Sequence, residues 1–106
     1  MNNWVLYDDG RSIGRVGFEG GVVLRDEEHV DGARLTLKHG DNYISVSCNI
    51  YGWINHTRFF GTVPDAERDF VMMKSELGEM MKNLAASGVD APKRWEAISE
   101  FVRRFP

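Results

Sequence analysis

The sequence has little of what usually staples, anchors or interrupts a small chain. Cys48 is its only cysteine, so no disulfide can close within the chain, and a cysteine-rich structural zinc site is excluded. No apolar run approaches the ~20 residues that a membrane span requires, and no membrane partner is expected. The basic excess of a phosphate-binding chain is missing as well. Formal net charge is −3 and the cations are scattered, so nucleic acid is not an expected partner. Met1-Asn2-Asn3-Trp4 carries neither the basic region nor the apolar stretch of a secretory signal, which makes the cytoplasm the expected compartment. Neither a Gly-x-Ser-x-Gly elbow nor a His-Glu-x-x-His helix is present. No catalytic residue, metal or cofactor is therefore assigned.

What is present describes an ordinary globular chain. With 106 residues, 42% of them hydrophobic and 27% charged, residues 1–106 are expected to form a single domain with a core of its own. Composition changes once, near Gly61. Glycine, aromatic and β-branched residues precede it; Ala, Met, Glu, Lys and Leu follow. That is a change from strand-forming to helix-forming material, without internal repeats or linkers.

The expected fold class is α+β: an antiparallel β-meander of five to six strands over residues 4–60, with two C-terminal amphipathic helices packed on one face. Trp4 to Tyr7 reads as a strand entering an Asp9-Gly10 hairpin turn, which would set Leu6 opposite Ile13 and start a second strand over about 12–18. Val22-Val23-Leu24 begins another strand after Gly20-Gly21. Asp31-Gly32 leads into Ala33–His39, and Gly40-Asp41 turns the chain into Tyr43–Tyr51. A two-residue loop there pairs Leu37 with Ile44, Leu35 with Val46 and Ala33 with Cys48. It leaves Arg34, Thr36 and Lys38 on the opposite, polar side with Ser45 and Ser47. The stretch from Gly52 to Phe60 is open to two readings, a final strand after a turn or a kinked continuation.

The helical half follows a different period. Thr62 with Asp65 forms a capping-box pattern, and Ala66, Phe70, Met73, Leu77, Met80 and Leu84 make one stripe. A helix over about 64–87 results, stopped at Gly88. Asp90 caps a second over about 91–104, with Trp95, Ile98, Phe101, Val102 and Phe105 on one face. Gly78, in mid-helix, costs ~1 kcal/mol against alanine and is expected to mark the close approach of another backbone.

Two groups of residues are candidates for function. The first is a polar cluster. In Arg25-Asp26-Glu27-Glu28-His29 the strand period points Glu27 and His29 the same way. If the last strand folded back beside this one, Glu27, Glu28, His29, His56 and Arg58 would meet and could bind a metal or an anion, or move a proton. Set against this is a charged strand edge that discourages aggregation. The second group is Tyr43, Tyr51 and Trp53, aromatic residues suited to an interface. Cys48 alternates with Val46 and Ile50, so it reads as a small buried hydrophobe. The glycines between Gly14 and Gly21 precede no helix start, as a phosphate loop would demand; turns explain them. Met72 and Met81 lie off the helix stripe. The sequence thus favours a small interaction or binding module, self-associating as a homodimer or meeting a protein partner, without catalysis. The alternative is a small enzyme or a metal- or anion-binding protein using the polar cluster.

Overall fold

Apolar and polar residues alternate from Ala33 to Leu37 and from Ile44 to Ile50, and the chain obeys the alternation: Ala33, Leu35, Leu37, Ile44, Val46, Cys48 and Ile50 all enter the core. The computed structural model describes residues 3–17, 20–88 and 90–106. Its strands are β1 (Trp4–Leu6), β2 (Val22–His29), β3 (Ala33–His39), β4 (Ile44–Ile50) and β5 (Ile54–Phe60). They form one antiparallel sheet in the order β1-β2-β3-β4-β5. Helices α1 (Val63–Ser87) and α2 (Ala91–Arg104) follow and cover one face. This is the expected α+β meander with two C-terminal helices.

Two pairings differ from expectation. Around Asp9-Gly10 no hairpin forms. Asp8 and Asp9 take positive φ (49° and 55°) in a 3-10 turn at Tyr7–Gly10, and Leu6 stands opposite Glu27 instead of Ile13. The Asp-Gly pair correctly signals positive φ, but the chain after it lacks the alternation of a strand. Residues 11–17 instead run over the sheet, held by the Gly14 N–H on the Val23 carbonyl and the Val23 N–H on the Arg15 carbonyl. Within 12–18, only Val16 bridges to the sheet, at Val22; Phe18 lies outside the described residues.

The second difference is the β3–β4 register. Leu37 faces Val46, Leu35 faces Cys48 and Ala33 faces Ile50, a slip of two residues from the expected pairing. The connection is Gly40–Tyr43, with the Gly40 N–H on the Tyr43 carbonyl. Tyr43 leaves the ladder because its ring lies over Gly40, where any β-carbon would collide with it. A slip of two preserves which side each residue faces, so the apolar and polar faces are those anticipated.

Gly52 is a turn: the Trp53 N–H reaches the Ile50 carbonyl, and β5 pairs with β4 along all seven of its residues without a bulge. In β2 a bulge between Val23 and Arg25 lets Leu24 pack against the core and brings Arg25 opposite Leu37.

Each helix starts as its cap dictates. Thr62 Oγ1 accepts the Asp65 N–H, and the Asp90 carboxylate accepts the Lys93 N–H. Gly88 ends α1 with φ 60°, the left-handed geometry glycine takes most cheaply. Phe70, Met73 and Leu77 of α1 and Ile98 and Phe101 of α2 bury fully or nearly so over Leu35, Leu37, Val46 and Cys48. Each such side chain contributes roughly 1.5–3 kcal/mol. Met81, not Met80, occupies the stripe after Leu77; Met80 is only half-buried. Trp95 stays 45% exposed, resting edge-on against Trp53 with centroids 4.9 Å apart. At Gly78 the close neighbour is a side chain and not a backbone: an added methyl would lie 2.9 Å from Trp4 Nε1. Gly78 is the notch that lets the indole of β1 seat against α1.

Candidate functional site

The strand order decides the fate of the expected polar cluster. Two strands separate β2 from β5, a gap of about 14 Å at the usual strand spacing, so His29 and His56 do not converge. Each member of the cluster is instead fastened locally. Glu27, on the helix side, accepts from Arg25 at 3.0 Å and from Lys74 at 2.5 Å. Arg25 also reaches Glu67 at 2.9 Å and lies over the Phe70 ring. Glu28 points to the other face, where the Tyr51 hydroxyl donates to it at 2.6 Å.

His29 is buried with its edge against Trp4. Its Nδ1 accepts the Asp31 backbone N–H at 3.1 Å, so a neutral ring carries its proton on Nε2. Burial pushes its pKa down, with Asp31 pulling weakly the other way. At the far edge, His56 Nε2 lies 2.6 Å from the Phe105 carbonyl; a carbonyl only accepts, so that nitrogen is the donor. Arg58 pairs with Asp69 and donates to the Pro106 carbonyl. Among the described residues no group of three or more His, Cys, Asp or Glu side chains is placed to hold a metal ion. Cys48 is fully buried, and desolvation pushes its thiol up to about 12, far from the thiolate a nucleophile needs.

The aromatic trio also divides. Tyr51 is 40% exposed on the open side, its hydroxyl pKa raised by desolvation and by Glu28. Tyr43 lies on that side too, edge-to-face with Phe59 at 6.3 Å. Trp53 turns to the helices and Trp95.

Sequence reasoning missed the best-built polar group. Asp26 is wholly buried on the open side of the sheet. Its carboxylate accepts from Arg34 Nε at 2.8 Å and Nη2 at 2.7 Å, Thr36 Oγ1 at 3.0 Å and Ser12 Oγ at 2.7 Å. The Arg34 guanidinium in turn stacks 3.5 Å over the Tyr7 ring, and the bidentate bond to Asp26 holds its pKa above the ordinary arginine value. This node ties the segment 7–17 down over β2 and β3. The signal lay in the strand period, which splits Asp26 and Glu28 from Glu27 and His29.

Beyond that cover the face reaches solvent at Asn55, Thr57 and Phe59, while Thr36 and Ser45 are buried among their neighbours. The side chains that β3, β4 and β5 present there are Arg34, Thr36 and Lys38; Ser45, Ser47 and Asn49; Asn55, Thr57 and Phe59. None is a carboxylate. Three shallow depressions of about 180, 160 and 410 Å³ meet at Lys38. The largest is walled by Arg15, Gly17 and Arg34, and by Asp8, whose carboxylate is paired with Arg11. Lys38 and Arg15 form no ion pair among the described residues. The Tyr43 hydroxyl is buried without a hydrogen-bond partner. Phe59 is 69% exposed.

Compared with family models, curated proteins and solved structures, the chain matches none. Among the described residues no helix is long and apolar enough to cross a membrane.

Proposed function

We propose that the protein is a small non-catalytic interaction module of the cytoplasm that self-associates, pairing the β5 edge of one copy with that of a second. The supporting observation is β5 itself. It runs seven residues in unbroken register with β4, and no other strand takes its outer side among the described residues. Edge strands are normally blunted by charge, proline, a bulge or brevity; β5 has no lysine, proline or bulge, and its one arginine, Arg58, is bonded on the helix side to Asp69. Its open-side residues are Asn55, Thr57 and Phe59, while His56 and Arg58 are engaged with the chain's last carbonyls.

A two-fold axis at the midpoint, Thr57, pairs the full strand with its copy. Thr57 meets Thr57, and Asn55 meets Phe59. No outward charge is set against its like. Face-to-face association would instead oppose Lys38 and Arg15 to their own copies. The absence of catalysis is supported by the way Asp26, Glu27, His29 and Arg58 are spent on internal bonds.

Strand pairing alone buries little area, so a weak, concentration-dependent dimer is expected. Light scattering across a dilution series should show twice the chain mass at high concentration. Thr57→Lys, which sets two ammonium groups together at the axis, should shift the protein to the monomer while leaving its circular dichroism unchanged. A wild-type protein that stays monomeric at the highest concentrations accessible would refute the proposal.

A further inference from the structure

We infer that the bare face of the sheet is a docking surface for an acidic peptide segment of another protein, laid across β3, β4 and β5 with its carboxylates on Lys38 and Arg15. The argument starts from charge. The chain carries a net −3, yet the open side of β3–β5 bears two cations and no acid. One of those cations, Arg34, is spent on Asp26 and is held rigid. The other, Lys38, lies where the three depressions join, half-buried and, among the described residues, without an anionic partner. Arg15 flanks it on the overlying segment. A cation held partly out of water and left unpaired is a cost to the fold that an incoming carboxylate offsets.

Around these cations lies a carpet of hydroxyls and amides. Asn49 and Asn55 stand opposite one another, and each amide offers the same donor and acceptor pair as a peptide bond. Ser47 and Thr57 bond to each other at 2.9 Å and keep further capacity to accept. Shallow, polar depressions of this kind are unlike the enclosed and mostly apolar cavities that hold small molecules. They suit an extended chain.

Single-stranded nucleic acid fits the surface less well. Stacking needs free aromatic faces, and the Tyr43 ring lies against Gly40 and Gly21; among the described residues the exposed rings on this side are Phe59 and Tyr51, and the Tyr51 hydroxyl is held by Glu28. A second copy of the chain brings cations to cations.

The test is a fluorescence-anisotropy titration of the full-length protein with a dye-labelled hexaglutamate peptide. A hexaglutamine peptide, inorganic phosphate and a single-stranded oligonucleotide serve as separate arms. Hexaglutamate should bind, more weakly as salt is raised, and hexaglutamine should not. Lys38→Ala and Arg15→Ala should each weaken binding about tenfold, the loss of one charge-assisted hydrogen bond. Lys38→Arg should restore most of it. Lys82→Ala, which removes an equal charge from α1, should change nothing. Four results would overturn the inference: equal binding of the glutamine peptide, an unaffected Lys38→Ala, phosphate alone matching the peptide, or tighter binding of the oligonucleotide. The titration is independent of the solution mass. A monomer that binds hexaglutamate refutes only the dimer, and a dimer that ignores the peptide refutes only this surface.

Discussion

The two halves of the open sheet face are built from the same strands and treat polarity in opposite ways. Over β2 and the near part of β3, every charge that the strands themselves present is consumed. Asp26 gathers Arg34, Thr36 and Ser12, Glu28 takes the Tyr51 hydroxyl, and the segment 7–17 lies over the group. Over β4 and β5 the side chains are hydroxyls, amides and the Phe59 ring, no segment among the described residues lies on top, and among those residues Lys38 stands unpaired at the border. Burial of a charge is tolerable only when it is bonded, so the roofed half has to be self-sufficient. The bare half carries no such demand and is free to meet something else.

The comparison breaks most sharply at Asp26. Asp26→Ala leaves the Arg34 guanidinium and two hydroxyls without their acceptor, and releases the segment above them. Urea denaturation should show a loss of about 3 kcal/mol, at the lower end for a broken buried pair because Arg34 keeps some access to water. A loss below about 1 kcal/mol would mean that the roofed half is no more fastened than the bare one.

A smaller effect is expected at His29, on the same strand as Asp26 but on the opposite face, under the helices. Its folded pKa lies below the ordinary histidine value, so the unfolded chain takes up the proton first. Its contribution to stability is complete above about pH 6.5 and declines as pH falls through that value toward the lower, folded pKa. Denaturation midpoints measured between pH 7.5 and pH 5 (roughly the window these values bracket) should fall with acid. The part of that slope due to His29 should vanish in His29→Gln; a slope unchanged by that variant would assign the effect elsewhere. The smallest effect belongs to the bare half. Asn55→Ala should alter stability by no more than about 0.5 kcal/mol, as for an ordinary surface site, and a larger loss in the same denaturation series would show that this half is fastened after all.

Legibility in the sequence followed the same division. The period of two told which residues of β3 and β4 face the helices, and Leu35, Val46 and Cys48 are indeed fully buried. It could not tell the pairing, because a slip of two residues leaves every face as it was; only the departure of Tyr43 from the ladder selects the observed register. Asp9-Gly10 announced positive φ but not the partner of β1, which is chosen by the fit of Trp4 between His29 and Gly78. Helical spacing was ambiguous between steps of three and four, and so misplaced Met80 and Met81. The polar cluster failed for a plainer reason. The period of two puts Glu27 and His29 on one side but sends Glu28, counted in the same cluster, to the other, and β5 pairs with β4 and never nears β2. The depressions around Lys38 depend on where residues 11–17 come to rest, which no local pattern encodes.

The neighbour-to-neighbour order of the strands has a kinetic consequence. Every pairing from β2 to β5 closes a short loop, so each hairpin can nucleate alone, and the ordering entropy is met in small instalments. The long closures, Trp4 onto α1 and the Phe105 and Pro106 carbonyls onto β5, come after a hairpin template exists to receive them. A chain so wired should collapse by zippering outward from β3–β4, with its first strand and its last turn of helix arriving late and letting go first.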